Sequence, residues 1–248
     1  MDSANPRPVA LITGGAKRVG AVIARSLHAA GYDLALHCRH STAEADALAG
    51  ELAAQRANSV LVLHADLADL HALPKLIDAT LARYGRLDAL INNASAFYAT
   101  PLETATLAQW NELFASNAQA PLFLAQAALP ALREARGAIV NLVDIYAERA
   151  LAQHPIYVMA KAALAAMTRC LALDLGPEIR VNGVAPGAVM WPSDGMPYAD
   201  QEAMLARTPL KRAGAPDDVA STVLWLLRDA PFVTGQIIRV DGGRSVTI

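Results

Sequence analysis

Seven short runs of the chain, at 8–13, 33–38, 60–63, 87–91, 138–143, 179–184 and 236–240, are apolar nearly throughout, with little alternation between apolar and polar residues. A strand of that kind is buried on both faces, which calls for a parallel sheet covered by helices on each side. The intervening segments 18–30, 42–56, 70–84, 107–132, 156–175 and 217–227 carry the spacing of helices, and Ser41 stands at the N-cap of the second. Strands alternating with helices predict a doubly wound α/β fold of the Rossmann type, with about seven parallel strands. Right-handed crossovers then place the strand C-termini along one edge, where ligands bind. The rhythm breaks only between residues 187 and 210, a stretch that carries Pro192, Pro197, Pro209, Trp191 and Tyr198. A loop of that length predicts a lid over a substrate site.

The whole chain, 248 residues, fits one catalytic domain. Hydrophobic residues at 54% against 18% charged give ample material for a core and exclude a disordered chain. A net charge of −2 argues against a nucleic-acid partner. Cys38 and Cys170 form neither a disulfide framework nor a metal-binding spacing, so no metal is expected. The first eight residues lack an apolar signal core, and no uncharged apolar run reaches membrane-spanning length. The expectation is a cytoplasmic protein with a small-molecule substrate and no membrane contact.

Between the first strand and the first helix lies Thr13-Gly14-Gly15-Ala16-Lys17-Arg18-Val19-Gly20. Glycines at a strand-to-helix turn let a phosphate approach the backbone amides of the helix N-terminus. NAD sites usually place an acidic residue at the end of the second strand. Here that position reads His37-Cys38-Arg39-His40-Ser41. Arg39 can fork onto a phosphate, Ser41 can donate at the helix start, and Lys17 and Arg18 add positive charge. The segment is read as a pocket for a 2′-phosphate, and so for NADPH, with a solvated basic turn as the plain alternative. His37 has a packing role as its own alternative.

Tyr157 and Lys161 are four residues apart and share a helix face. A neighbouring ammonium stabilises tyrosinate and makes the phenol a usable proton donor near neutral pH. Four more landmarks accompany them in order: the glycine loop, Asn92-Asn93-Ala94, Asn117, and Pro186-Gly187. Together, from about residue 8 to Val240-Asp241-Gly242-Gly243, they resemble the short-chain dehydrogenase/reductase family. The resemblance implies that Asn93 supports the cofactor sugar and Asn117 a proton-relay water. It implies that Lys161 holds the nicotinamide ribose, that Asp66 and Leu67 flank the adenine, and that Pro186 and Gly187 border the nicotinamide. Gly14, Lys17, Arg18, Val19 and Ala94 complete the implied cofactor contacts.

Two positions depart from the general family pattern. Arg18 replaces a loop glycine, and Asp144 stands where the family has a serine thirteen residues before the tyrosine. An ionised carboxylate there would repel a developing oxyanion. Either Asp144 is protonated, or the substrate is not a simple ketone but one presenting N–H donors or a basic ring nitrogen. Both departures together resemble the pteridine reductase branch. So do Asn92-Asn93-Ala94-Ser95-Ala96-Phe97-Tyr98 and Asn141-Leu142-Val143-Asp144. That resemblance implies a pterin held against Phe97, with Ser95 and Arg18 contacting pterin and phosphates. It further implies that Asp144 and Tyr157 act as a coupled proton-donating pair. Arg39-His40 reverses the branch order, Val189 stands where a serine is expected near the pterin, and long insertions are absent, which suggests a compact bacterial-type enzyme. A carbonyl or imine reductase is the alternative. Phe97 has a loop-anchoring role as its plain alternative, Trp191 in the lid is read as a substrate contact, and His154 is read as structural. Helices 120–132 and 158–175 are apolar nearly all round, which predicts a homo-oligomer; the family resemblance implies a tetramer.

Overall fold

The computed structural model describes residues 7–189 and 201–247. Its seven strands are β1 Val9–Ile12, β2 Asp33–Cys38, β3 Val60–His64, β4 Ala89–Asn92, β5 Ala138–Leu142, β6 Arg180–Pro186 and β7 Ile237–Val240. They form one sheet in the order β3-β2-β1-β4-β5-β6-β7, and every pairing is parallel. The fold is therefore the doubly wound, Rossmann-type α/β architecture that the apolar runs predict.

The period of two along each strand divides the side chains between two cores. Ala10, Ile12, Leu34, Leu36, Ile91, Val140 and Val184 point to one face. There they meet α1 (Arg18–Ala29), α2 (Thr42–Gln55) and α8 (Pro216–Arg228). Val9, Leu11, Ala35, Leu90, Ile139 and Val181 point to the other. That face is covered by α3 (Leu73–Tyr84), α5 (Ala120–Ala135) and α6 (Pro155–Leu175). By length and composition alone α6 is apolar enough to cross a bilayer. Its buried residues include Tyr157, Lys161 and Thr168, and it is a core helix of the sheet.

Three elements differ from the expected pattern. The helix expected over 107–132 is α4 (Leu107–Phe114), then a π-helical segment Ala115–Gln119, then α5. The π segment carries Asn117, and such one-turn widenings occur often at functional sites. Within the stretch expected to be loop, Gln201–Arg207 is helical and is numbered α7. A short C-terminal helix, α9 (Arg244–Thr247), follows β7 and carries too few residues to show periodicity. Trp191 and the segment 190–200 lie outside the described residues.

The sheet order reverses direction between β1 and β4, so their C-terminal ends open a crevice. Behind it, a chain of buried hydrogen bonds ties three elements together. Asn92 Nδ2 donates to Asn141 Oδ1 at 2.8 Å, Asn141 Nδ2 to Thr168 Oγ1 at 2.8 Å, and Thr168 Oγ1 to the Leu164 carbonyl at 2.8 Å. It joins β4, β5 and α6 just below the edge where the candidate site residues emerge.

Candidate active site

The glycine loop is held from three sides. Asn93 Nδ2 donates to the Thr13 and Gly14 carbonyls at 2.9 and 3.0 Å. Thr13 Oγ1 accepts from the Asn93 and Ala94 amides at 2.9 and 3.0 Å. His37 Nδ1 accepts from the Gly14 amide at 3.3 Å, which leaves Nε2, 3.1 Å from the Ala65 carbonyl, as the protonated nitrogen. Burial also pulls the His37 pKa down, in keeping with a neutral ring. His37 is buried beneath the loop with both ring nitrogens engaged, an arrangement that suits its packing alternative. Asn93 likewise spends its side-chain amide on the loop backbone.

Close packing makes two glycines of this loop irreplaceable. A Cβ at Gly20 would lie 2.3 Å from the Gly14 carbonyl oxygen and 2.7 Å from Asn93 Nδ2. Gly14 has φ +62° and faces Ala94. Arg18 also lies in the left-handed region, at φ 54°, where glycine is favoured. The non-glycine residue at that position costs about 1–2 kcal/mol of backbone strain and places an exposed guanidinium beside the loop. Lys17 is exposed with it and reaches Glu44 at 3.8 Å, while Val19 packs on the core.

At the C-terminal ends of β2 and β3, Arg39 pairs with Asp66 at 2.9 Å, both groups about half exposed. The other Asp66 oxygen accepts from the Ala68 amide at 3.0 Å. His40 is exposed beside Arg39. Ser41 occupies the N-cap of α2, but its hydroxyl makes no capping bond. Leu67 is buried in the core and can meet a ligand only through its backbone. This donor set fits a dinucleotide: a glycine-rich backbone cradle at the start of α1, and an exposed guanidinium and a hydroxyl between the end of β2 and the start of α2.

Asp144, Tyr157 and Lys161 meet at the C-terminal ends of β5 and β6. Tyr157 Oη donates to Asp144 Oδ2 at 2.7 Å, and Asp144 Oδ1 accepts from the Tyr146 amide at 2.9 Å. Lys161 is 2% exposed, donates to the Leu142 carbonyl at 2.8 Å, and lies 5.8 Å from the Tyr157 ring centroid. Burial pulls the Lys161 ammonium down to about 8, against the opposing pull of Asp144. Burial also pushes the Asp144 carboxyl up, opposed by its bonds from Tyr146 and Tyr157 and by the Lys161 charge.

Phe97 is 36% exposed at the mouth of this group, its ring edge-to-face with Tyr157 at 4.7 Å. It stacks on His154 at 4.8 Å and 11°. Ser95 Oγ donates to Asn117 Oδ1 at 2.7 Å, and Asn117 Nδ2 donates to the Ala96 and Leu113 carbonyls, both at 2.9 Å. Asn117 thus holds the 95–97 turn against the π segment. An open cleft with about 470 Å³ of empty space is lined by Phe97, Asp144, Tyr157, Gly187, Met204 and Arg244, among others. Pro186 ends β6 at its rim. Val189 faces the opposite way, packing on the core beside Gly214.

Two residues at this site carry little sequence signal. His154 precedes Tyr157 by one helical turn, and only the tertiary fold brings Phe97 onto its ring. Arg244 follows the Gly242-Gly243 turn and reaches the cleft from the far end of the chain.

A glycine cradle at the β1–β4 crevice, beside a buried Tyr–Lys–Asp group, defines a nicotinamide-dependent oxidoreductase of the α/β class. A family model described as enoyl-(acyl carrier protein) reductase matches residues 14–245. Pteridine reductase 1 of Leishmania tarentolae is 38% identical, covering 100% of this chain and 99% of its own. L-xylulose reductase of Bos taurus is 35% identical, with 96% of each chain covered. A 3-oxoacyl-(acyl-carrier-protein) reductase of Staphylococcus aureus strain Mu50 is 32% identical over 94% of this chain and 96% of its own. The chain belongs to the short-chain dehydrogenase/reductase family, whose members work with NAD(P)H.

Proposed function

We propose that this protein is an NADPH-dependent pteridine reductase, taking a dihydropterin, and dihydrofolate where its tail is accepted, to the tetrahydro form. The observation that carries the reading is the 2.7 Å hydrogen bond from Tyr157 Oη to Asp144 Oδ2 on the wall of the cleft. Relatives named for pterin, sugar and acyl substrates stand at similar identity. The choice among them therefore falls to the site chemistry.

When bound, NADPH supplies the hydride. Arg39, His40, Ser41, Lys17 and Arg18 are the groups that would meet its phosphates, with Asp66 at the adenine and Pro186-Gly187 at the nicotinamide. The chain's own part is to hold and deliver a proton. A ring nitrogen that gains negative charge as its neighbouring carbon is reduced needs a proton from an acid whose pKa lies near the working pH. The pair carries two protons before transfer, one on the Tyr157 phenol that donates to Asp144 Oδ2 and one on the carboxyl, which burial holds above its ordinary range. Lys161, fixed by the Leu142 carbonyl, keeps a positive charge beside the phenol so that tyrosinate is tolerable after transfer. Protonated Asp144 then returns the proton to Tyr157. Phe97 supplies a flat face for a planar heterocycle.

The test is NADPH oxidation at 340 nm with dihydrobiopterin, dihydrofolate and a ketone panel, NADH being run in parallel. Pterin turnover with preference for NADPH is expected. Asp144→Ser should lower pterin kcat/KM by about 10²–10⁴. Turnover of ketones alone, with Asp144→Ser tolerated, would move the substrate to the carbonyl class.

A further inference from the structure

Among the described residues, Arg244 is the one guanidinium on the cleft wall, and its Nη1 is buried with no hydrogen-bond partner. Among the described residues it forms no ion pair, neither with Asp144, which lines the same cleft, nor with Asp241 three residues before it. A guanidinium keeps its charge at any physiological pH, and leaving one of its nitrogens buried and unpaired is costly. Its backbone is nevertheless firmly placed. The Asp241 carboxylate accepts from the Gly243 amide at 2.9 Å and the Ser245 amide at 2.7 Å. Arg149, five residues beyond Asp144, donates to the Ser245 carbonyl. The turn that carries Arg244 is thus tied to the strand end that carries Asp144.

An unpaired planar cation, carried on an anchored turn and lining an aromatic-walled cleft, matches an anionic substituent on the ligand. We infer that Arg244 is a specificity-determining residue that receives a carboxylate borne by the substrate, in the cleft that Tyr157 and Asp144 also line. The fork geometry favours a carboxylate, whose two oxygens can accept in parallel. The inference rests on reading the cleft as the substrate site of the reductase. It predicts that substrates with an acidic tail are favoured over neutral ones of the same ring.

The experiment compares wild type, Arg244→Gln and Arg244→Lys with two substrates, dihydrofolate, which carries carboxylates, and dihydrobiopterin, which carries none. Arg244→Gln is expected to raise the KM for dihydrofolate about ten- to a hundredfold with kcat little changed. Dihydrobiopterin should stay within about twofold, and Arg244→Lys should recover part of the loss. Equal effects on both substrates, or none on either, would overturn the inference. A second arm does not need turnover. Tryptophan fluorescence of the NADPH-loaded enzyme is titrated with benzoate and with benzamide, its neutral isostere. Tighter binding of benzoate that disappears in Arg244→Gln supports the carboxylate site, and the absence of any benzoate preference in wild type refutes it. If no pterin is turned over but the benzoate preference holds, the pterin reading fails and the assignment of Arg244 stands.

Discussion

Asp144 is asked to hold a proton in a place that disfavours its charge. Burial raises its carboxyl above the ordinary range, and the folded chain therefore binds a proton there that the unfolded chain releases. The stability this contributes is present below the usual aspartate pKa and is lost as pH rises through the raised value. Asp144→Asn removes the titration and keeps Oδ1 as the acceptor for the Tyr146 amide, while its Nδ2 turns the bond to Tyr157 round and donates to the phenol oxygen. The variant should melt about 2–4 °C higher than wild type at pH 8, the shift that about 1 kcal/mol produces in a chain of this size. It should also lose pterin turnover by about 10²–10³-fold. Wild-type kcat/KM should fall as pH rises past the carboxyl pKa, and that limb should vanish in Asp144→Ser. A melting curve for Asp144→Asn that matches wild type from pH 5 to 9 would contradict the assignment. The Tyr157 and Lys161 pair was legible from residue spacing, because a helix puts positions four apart on one face, whereas Asp144 was singled out only by the family resemblance. His37 was not, since the same basic cluster suits a phosphate pocket or a scaffold until the Gly14 amide is seen on its Nδ1.

At the scale of elements, the crevice depends on how closely α1 approaches the β1–β4 edge. Gly20 sits at that closest approach, with no room for a Cβ. Gly20→Ala should lower stability by about 1–3 kcal/mol in urea titration and weaken NADPH binding, since the loop must move to admit the methyl group. Gly50, inside α2, has no atom within 4 Å of an added Cβ and no unusual φ. Gly50→Ala should therefore stabilise by about 0.5–1 kcal/mol and leave activity intact. Equal effects at the two positions would mean that helix propensity, not packing, dominates. Strand and helix positions were readable because doubly buried strands are apolar without alternation. The π segment at Ala115–Gln119 was not, because an extra residue in one turn changes no residue type. Its purpose shows only in the bonds Asn117 makes to Ser95 and Ala96.

The whole molecule leaves large apolar side chains outside on two faces. Leu122, Met159 and Leu173 project from α5 and α6, with Leu173 83% exposed. Trp225 and Phe232, the latter fully exposed, lie at α8 and just beyond it, with Val246 near the C-terminus. Apolar patches of this kind mark interfaces between chains. We propose a homotetramer, which sedimentation should report as about 104 kDa, four times the 26.1 kDa chain. Leu173→Glu and Phe232→Glu should each yield smaller species, because a charge cannot be buried unpaired. A wild-type monomer at micromolar concentration would rule the tetramer out.

The sequence by itself determined the parallel α/β architecture with its strands and helices, and it pointed to the glycine turn and the Tyr157–Lys161 pair, because periodicity and short-range spacing are local properties. Tertiary structure alone decided which basic residues face solvent and which become scaffolding, and it brought Phe97 onto His154 and Arg244 into the cleft. Phe97 and His154, which stack, stand 57 residues apart, and Asp144 and Arg244, which line one cleft, stand 100 apart. Such distances are closed only by the packing of β5, β6 and the C-terminal turn, and no local pattern encodes them.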